Sequence, residues 1–149
     1  MQTFLPLPGF RRSAAVLDNK RLGKQRVECK QILLCLGVAV GEHTPGKSSW
    51  RNHPAVRMWL GYELQLAVYA AVMCQEWRCR GFKDTLYPQF IAAYQERDAA
   101  GCGKKYPPWF GDPEFHASHR SNLLRKDYTH YSKFGWAEQS DLPYLWPTV

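Results

Sequence analysis

The sequence predicts an all-α fold: a compact single domain, spanning residues 1–149, of three to four main helices, with an extended N-terminal arm and an aromatic C-terminal tail. Three observations lead there. Apolar residues recur at helical spacing in several long segments, no segment alternates as a half-buried strand does, and no repeat of fixed period is present. The length of 149 residues, with 45% apolar and 14% aromatic content, gives one domain able to bury a core without disulfide staples. A disordered linker and a multidomain assembly are excluded.

The opening MQTFLPLPGF carries two prolines and a glycine, which makes it an extended arm. Asp18 is placed to cap the first helix, Leu17 and Leu22 to staple it, and Leu22, Cys29, Leu33 and Leu36 to form its apolar face, with Gly37 and Gly41 as stops. GEHTPGKSS follows as a loop. Pro54 suits the first turn of a second helix, where its missing N–H costs nothing, and the apolar pattern then runs to about Arg80 with Gly81 beyond. A third helix is predicted from about Tyr87 to Ala100, ended by Gly101 and Gly103, and a fourth from Asp112-Pro113 through HASHRSNLLRKD.

Five cysteines, an odd number without a CxxC pair, fit free thiols in a reducing cytoplasm. No apolar run is long enough to span a membrane. His116 and His119 have no Cys or carboxylate at zinc-site spacing beside them, so neither a metal nor another cofactor is expected.

The net charge of +7 and the pI near 9.3 point to a polyanion, since each cation set on a phosphate releases a condensed counterion. Seven cations fall in the first thirty residues (Arg11, Arg12, Lys20, Arg21, Lys24, Arg26 and Lys30) against only Asp18 and Glu28. Arg21, Lys24 and Glu28 share one stripe of the first helix, which makes Glu28 a lone carboxylate on a basic face. An ordinary ion pair with Lys24 explains it structurally; a proton-transfer group acting on a nucleotide explains it functionally. Gln25 and Arg26 lie on the same helix. Arg51, Asn52 and His53 precede Pro54 as an anion site or a helix cap. In the last third, Lys104, Lys105, Arg120, Arg125, Lys126 and Lys133 are interleaved with aromatic rings, a pattern suited to phosphates and bases together. Arg21, Lys24, Gln25, Arg26, Arg51, Asn52, His53, His116, His119, Arg120, Lys126 and Lys133 form the expected DNA-binding set.

These pieces resemble the pyrimidine-dimer DNA glycosylases, the small all-helical enzymes of the endonuclease V type. LDNKRLGKQRVE is similar to that family's first helix and sets Glu28 on its catalytic glutamate. Arg80-Gly81-Phe82 is similar to a helix end of the family, and YSKFGW (131–136) to its aromatic, lysine-bearing tail near damaged DNA. MQTFLP, RLGKQRVE and WRNHPAVRMW resemble a phage and bacterial branch. The resemblance implies a glycosylase with AP lyase activity on duplex DNA carrying an altered pyrimidine, acting as a monomer. In such an enzyme the first residue's α-amine attacks C1′ and Glu28 handles the charge and proton. Gln2 is too large for usual methionine removal, so that amine is Met1's own, on a longer arm than the family's. Lys24 or a water activated by Glu28 are the alternative nucleophiles. Two other classes fit the same features: a non-catalytic DNA-binding module, and an enzyme acting on modified bases.

Overall fold

The computed structural model describes residues 1–46 and 49–147. The predicted loop GEHTPGKSS therefore lies partly outside the described residues. Seven α-helices, and no strand among the described residues, make up the domain: α1 Phe10–Val16, α2 Asn19–Cys35, α3 Pro54–Arg57, α4 Glu63–Cys79, α5 Tyr87–Ala99, α6 Pro113–Lys126 and α7 Tyr128–Tyr131. An isolated bridge between Val40 and His43 closes the turn after α2. The all-α prediction holds, with α2, α4, α5 and α6 as the main helices.

Local chemistry explains the boundaries. After α2, α4 and α5 the chain passes through Gly37, Gly81 and Gly101, each at positive φ, and the amide that follows each glycine turns back onto the helix (Val38 to Leu33, Phe82 to Trp77, Cys102 to Arg97). This is the glycine-terminated Schellman arrangement. Asp112 starts α6 by accepting the Glu114 amide at 3.0 Å. Two expectations need correction. The continuous helix from Pro54 to Arg80 is broken, because Gly61 (φ +86°) reverses the chain after α3 at little steric cost, turning Leu60 outward while Trp59 stays fully buried. Residues 10–16, beside the arm, form the helix α1 that periodicity did not reveal.

α4 is the central element, packed by α1, α2 and α5, with Leu64, Leu66, Ala67, Tyr69, Ala70, Met73 and Cys74 buried around most of its circumference. Arg26 of α2 pairs with Asp84 at the entry to α5 and covers Trp77 of α4 at 5.1 Å, so one cation ties three elements together. Trp77 also closes on α2 where Gly23 has no side chain; a Cβ there meets its ring at 3.0 Å.

The arm is not free. Residues 2–6 are buried without helix or sheet, so side chains must satisfy their backbone groups. The Gln25 amide bonds Phe4 N (2.9 Å) and Gln2 O (3.0 Å). Tyr69 donates to Phe4 O at 2.7 Å, and Trp59 to the Thr3 hydroxyl at 3.0 Å. From α6, His119 Nδ1 accepts Leu5 N–H at 2.9 Å, His116 Nδ1 donates to Leu5 O at 2.7 Å and Arg120 donates to Pro6 O at 2.8 Å. The aromatic tail lies along the same helix: Ser121 bonds Leu142 N, Asn122 bonds Leu142 O, and Ser118 bonds Leu145 N. α6 is therefore buried although polar, because it serves two irregular segments.

Among the described residues no helix is long and apolar enough to cross a membrane, and no cluster of His, Cys, Asp and Glu is arranged to hold a metal. The five cysteines are free.

The histidine grip has a pH consequence. Burial pushes His119 down to about 3, helped by the neighbouring His116, and burial likewise lowers His116. Unfolded histidines titrate near 6.5, so below that pH the unfolded chain binds protons that the native chain does not, and stability falls as pH falls. His119 alone removes about 1.4 kcal/mol for each pH unit between roughly 6 and 3. Urea unfolding at pH 7, 6 and 5 measures this directly; equal midpoints at all three would contradict the neutral grip.

Candidate active site

The arm ends at a cavity of about 380 Å3 that also receives Glu28. Met1, Gln2 and Phe4 form one side, and Lys20, Arg21, Lys24, Gln25 and Glu28 of α2 another. Lys126 from the end of α6 and Tyr144 from the tail complete it. α2 delivers its residues from successive turns, while the hydrogen-bonded arm fixes Met1 and Gln2 against them. Glu28 is half-buried; its Oε2 accepts the Gln2 amide and the Gln25 side-chain amide, both at 3.3 Å. The ion pair expected with Lys24 does not form, and among the described residues Glu28 has no ion-pair partner. A second groove, between α2 and Trp77, lies on the other flank of Glu28 and shares Lys20 and Lys24 with the first.

Positive charge converges here. Lys126 sits below its ordinary pKa, first through partial burial and then through the cations Arg21, Arg125 and Lys24, with Glu28 opposing. His53 lies within the same field: burial lowers it most, the charge of the Met1 α-amine lowers it further, and Glu28 acts in the opposite sense. Burial pushes the Tyr144 phenol up to about 12, so it remains a hydroxyl donor. The chain's first residue, a carboxylate, cationic side chains and a tyrosine around one cavity suit chemistry on a sugar flanked by phosphates.

The structure thus brings Met1, Glu28, Arg21, Lys24, Gln25 and Lys126 together, with His53 close by. Not every expected contact is open to a ligand. Gln25 is almost wholly buried, His116 and His119 are interior, and all three are bound to the arm rather than presented to a ligand. Arg26 is bonded to Asp84, and Arg120 is paired with Glu138 and bonded to Pro6 O. Arg51 and Asn52 line a separate groove of about 580 Å3 between the end of α2 and α3. His53 caps α3, its Nδ1 accepting the Ala55 amide at 3.0 Å. Lys133 is exposed and lies over Phe134.

The YSKFGW segment is also different from expectation. Tyr131 is fully buried and stacks on Trp136 at 5.6 Å, which stacks on Phe134, so these rings pack on one another. The ring of the tail that lines the cavity, beside Phe4 of the arm, is Tyr144, thirteen residues beyond Tyr131. Sequence reasoning missed it because the tail has no periodicity. Gln2 and Thr3 did carry a signal, as two polar residues in an otherwise apolar arm.

Asp84 has no exposed side-chain surface, so removing Arg26 leaves a buried carboxylate whose remaining ion pair is the longer one to Arg78 at 3.6 Å, beside the Tyr87 amide that it accepts at 2.8 Å. Arg26→Met is expected to lower unfolding free energy by about 3 kcal/mol while leaving the salt dependence of DNA binding unchanged. Denaturant titration and binding at several salt concentrations check both halves.

A family model described as pyrimidine dimer DNA glycosylase matches residues 1–87, which is the arm, α1 to α4 and the first residue of α5. No curated protein and no solved structure matches the chain. The match takes in more than half of the sequence, including the arm and the α2 residues that surround the cavity, and the chain belongs to the pyrimidine dimer DNA glycosylase family.

Proposed function

We propose that the protein is a DNA N-glycosylase with AP lyase activity, acting on a pyrimidine dimer or another altered pyrimidine in duplex DNA. The observation that carries this reading is that Met1 and Glu28, from opposite ends of a hydrogen-bonded arm–helix contact, line one cation-rimmed cavity. The lone pair of the Met1 α-amine attacks C1′; the N–C1′ bond forms as the glycosidic bond breaks and the base leaves with the bonding pair. One N–H proton then passes to O4′ as the C1′–O4′ bond opens, and the nitrogen lone pair so freed forms a protonated imine. Glu28 stabilises the developing positive charge, takes the C2′ proton, and the released pair expels the 3′ phosphate. Lys20, Lys24 and Lys126 hold the flanking phosphates. Lys24 lines the same cavity, which supports a second reading in which its amine forms the imine.

Borohydride reduction with abasic-site duplex, followed by peptide mapping, decides between the amines. A cross-link at Met1, lost on N-terminal acetylation or behind a retained tag, is expected. Trapping that survives acetylation and disappears in Lys24→Ala moves the imine to α2, and base release without trapping leaves water as nucleophile.

Glu28→Gln is expected to reduce base release and strand cleavage by about 10²–10⁴-fold while binding stays equal or tightens, because a negative charge leaves the phosphate-facing site. Normal cleavage by this variant removes Glu28 from the mechanism. Lys24→Ala and Lys126→Ala should each make the log–log salt dependence of binding shallower by about one unit.

A further inference from the structure

Asp18 occupies the N-cap position of α2 without a side-chain cap hydrogen bond. Its carboxylate is engaged elsewhere. Tyr131 donates its hydroxyl to Oδ1, and Nη1 of Arg21 lies 3.3 and 3.2 Å from the two oxygens. The tyrosine oxygen in turn accepts the Asp18 backbone N–H at 3.0 Å, across 113 positions of sequence. Tyr131 is fully buried and clamped between His130 and Trp136, so the triad has a rigid base. Its other end is Arg21, one of the cations lining the Glu28 cavity.

A carboxylate on a DNA-facing surface repels phosphate. It is therefore informative that Asp18, next to the site, is held ionised: burial pushes its pKa up, but the hydrogen bond from Tyr131 and the charge of Arg21 bring it below the ordinary value. An unrestrained arginine samples many rotamers, whereas one fixed at a single nitrogen keeps its planar fork in one orientation and leaves its other donors for a ligand. We infer that Asp18 and Tyr131 are positioning residues that fix Arg21 for a phosphate next to the reacting nucleotide. The inference rests on the reading of the cavity as a nucleotide site.

The sign of one substitution separates positioning from simple charge. Asp18→Asn deletes a negative charge, so electrostatics alone tightens DNA binding; loss of positioning weakens it. Asp18→Asn is expected to raise Kd for abasic-site duplex about tenfold, as Arg21→Ala does, with no further loss in the double variant. Tyr131→Phe, which leaves net charge untouched, should weaken binding in the same direction, with single-turnover cleavage of bound DNA changed less than Kd. Binding by Asp18→Asn as tight as the parent's, or losses that multiply in the double variant, overturns the inference. The 15N-labelled Arg21 Nε–H resonance gives a readout independent of DNA: sharp in the parent protein and broadened in Asp18→Asn if the triad holds it, unchanged if not. A parent protein that fails to bind or cleave abasic duplex refutes the proposed function, and the resonance still decides the positioning.

Discussion

Burial of an extended N-terminal segment is the constraint on which the rest of this structure depends. A helix satisfies its own backbone, but residues 2–6 make no backbone–backbone bond among themselves, and each unpaired amide or carbonyl in the interior costs about 1–3 kcal/mol. The polar residues that resolve this come from three helices: Gln25 from α2, Tyr69 from α4, and His116, His119 and Arg120 from α6. The same bonds that satisfy the backbone also determine where Met1 stands. Seating the arm and building the cavity are one event, and a weakened grip on Leu5 therefore displaces Met1 and the cavity wall and not merely the core.

This explains the unusual character of α6. A buried helix is normally apolar; here His116, Ser118, His119, Ser121 and Asn122 are interior and occupied by the arm on one side and the tail on the other. Arg120 joins both segments, bonding Pro6 O and pairing with Glu138, whose carboxyl it holds below the usual range against the effect of burial. The basic surplus divides accordingly. Arg26, Arg80 and Arg120 are engaged with other elements, whereas Lys20 and Lys24 stand exposed at the cavity.

Much of the fold was legible where the determinants are local. Pro113 after Asp112, and glycine after the last apolar turn of α2, α4 and α5, mark boundaries whatever the rest of the chain does. The break at Gly61 was hidden because a single glycine inside an apolar run reads equally as a tolerated helix residue. The site divides along the same line. Glu28 and its cationic neighbours share one helical stripe and were visible as a group. His116, His119 and Arg120 have the composition of a DNA-binding face, and only the path of the arm, more than a hundred positions away, turns them inward. Tyr144 belongs to a segment without periodicity, so its arrival at the cavity depends on bonds to Ser118 and Ser121 that no spacing rule encodes.

The contact between Leu5 and His119 also orders events during synthesis. The two residues are 114 positions apart, so the arm leaves the ribosome long before the helix that seats it exists. At about 5–20 residues per second, the interval is on the order of ten seconds. For that time Phe4 and Leu5, both destined for the core, are without their α6 partners, and the cavity lacks Lys126 and Tyr144. The nascent chain thus carries α2 with its full set of cations before it carries an assembled site.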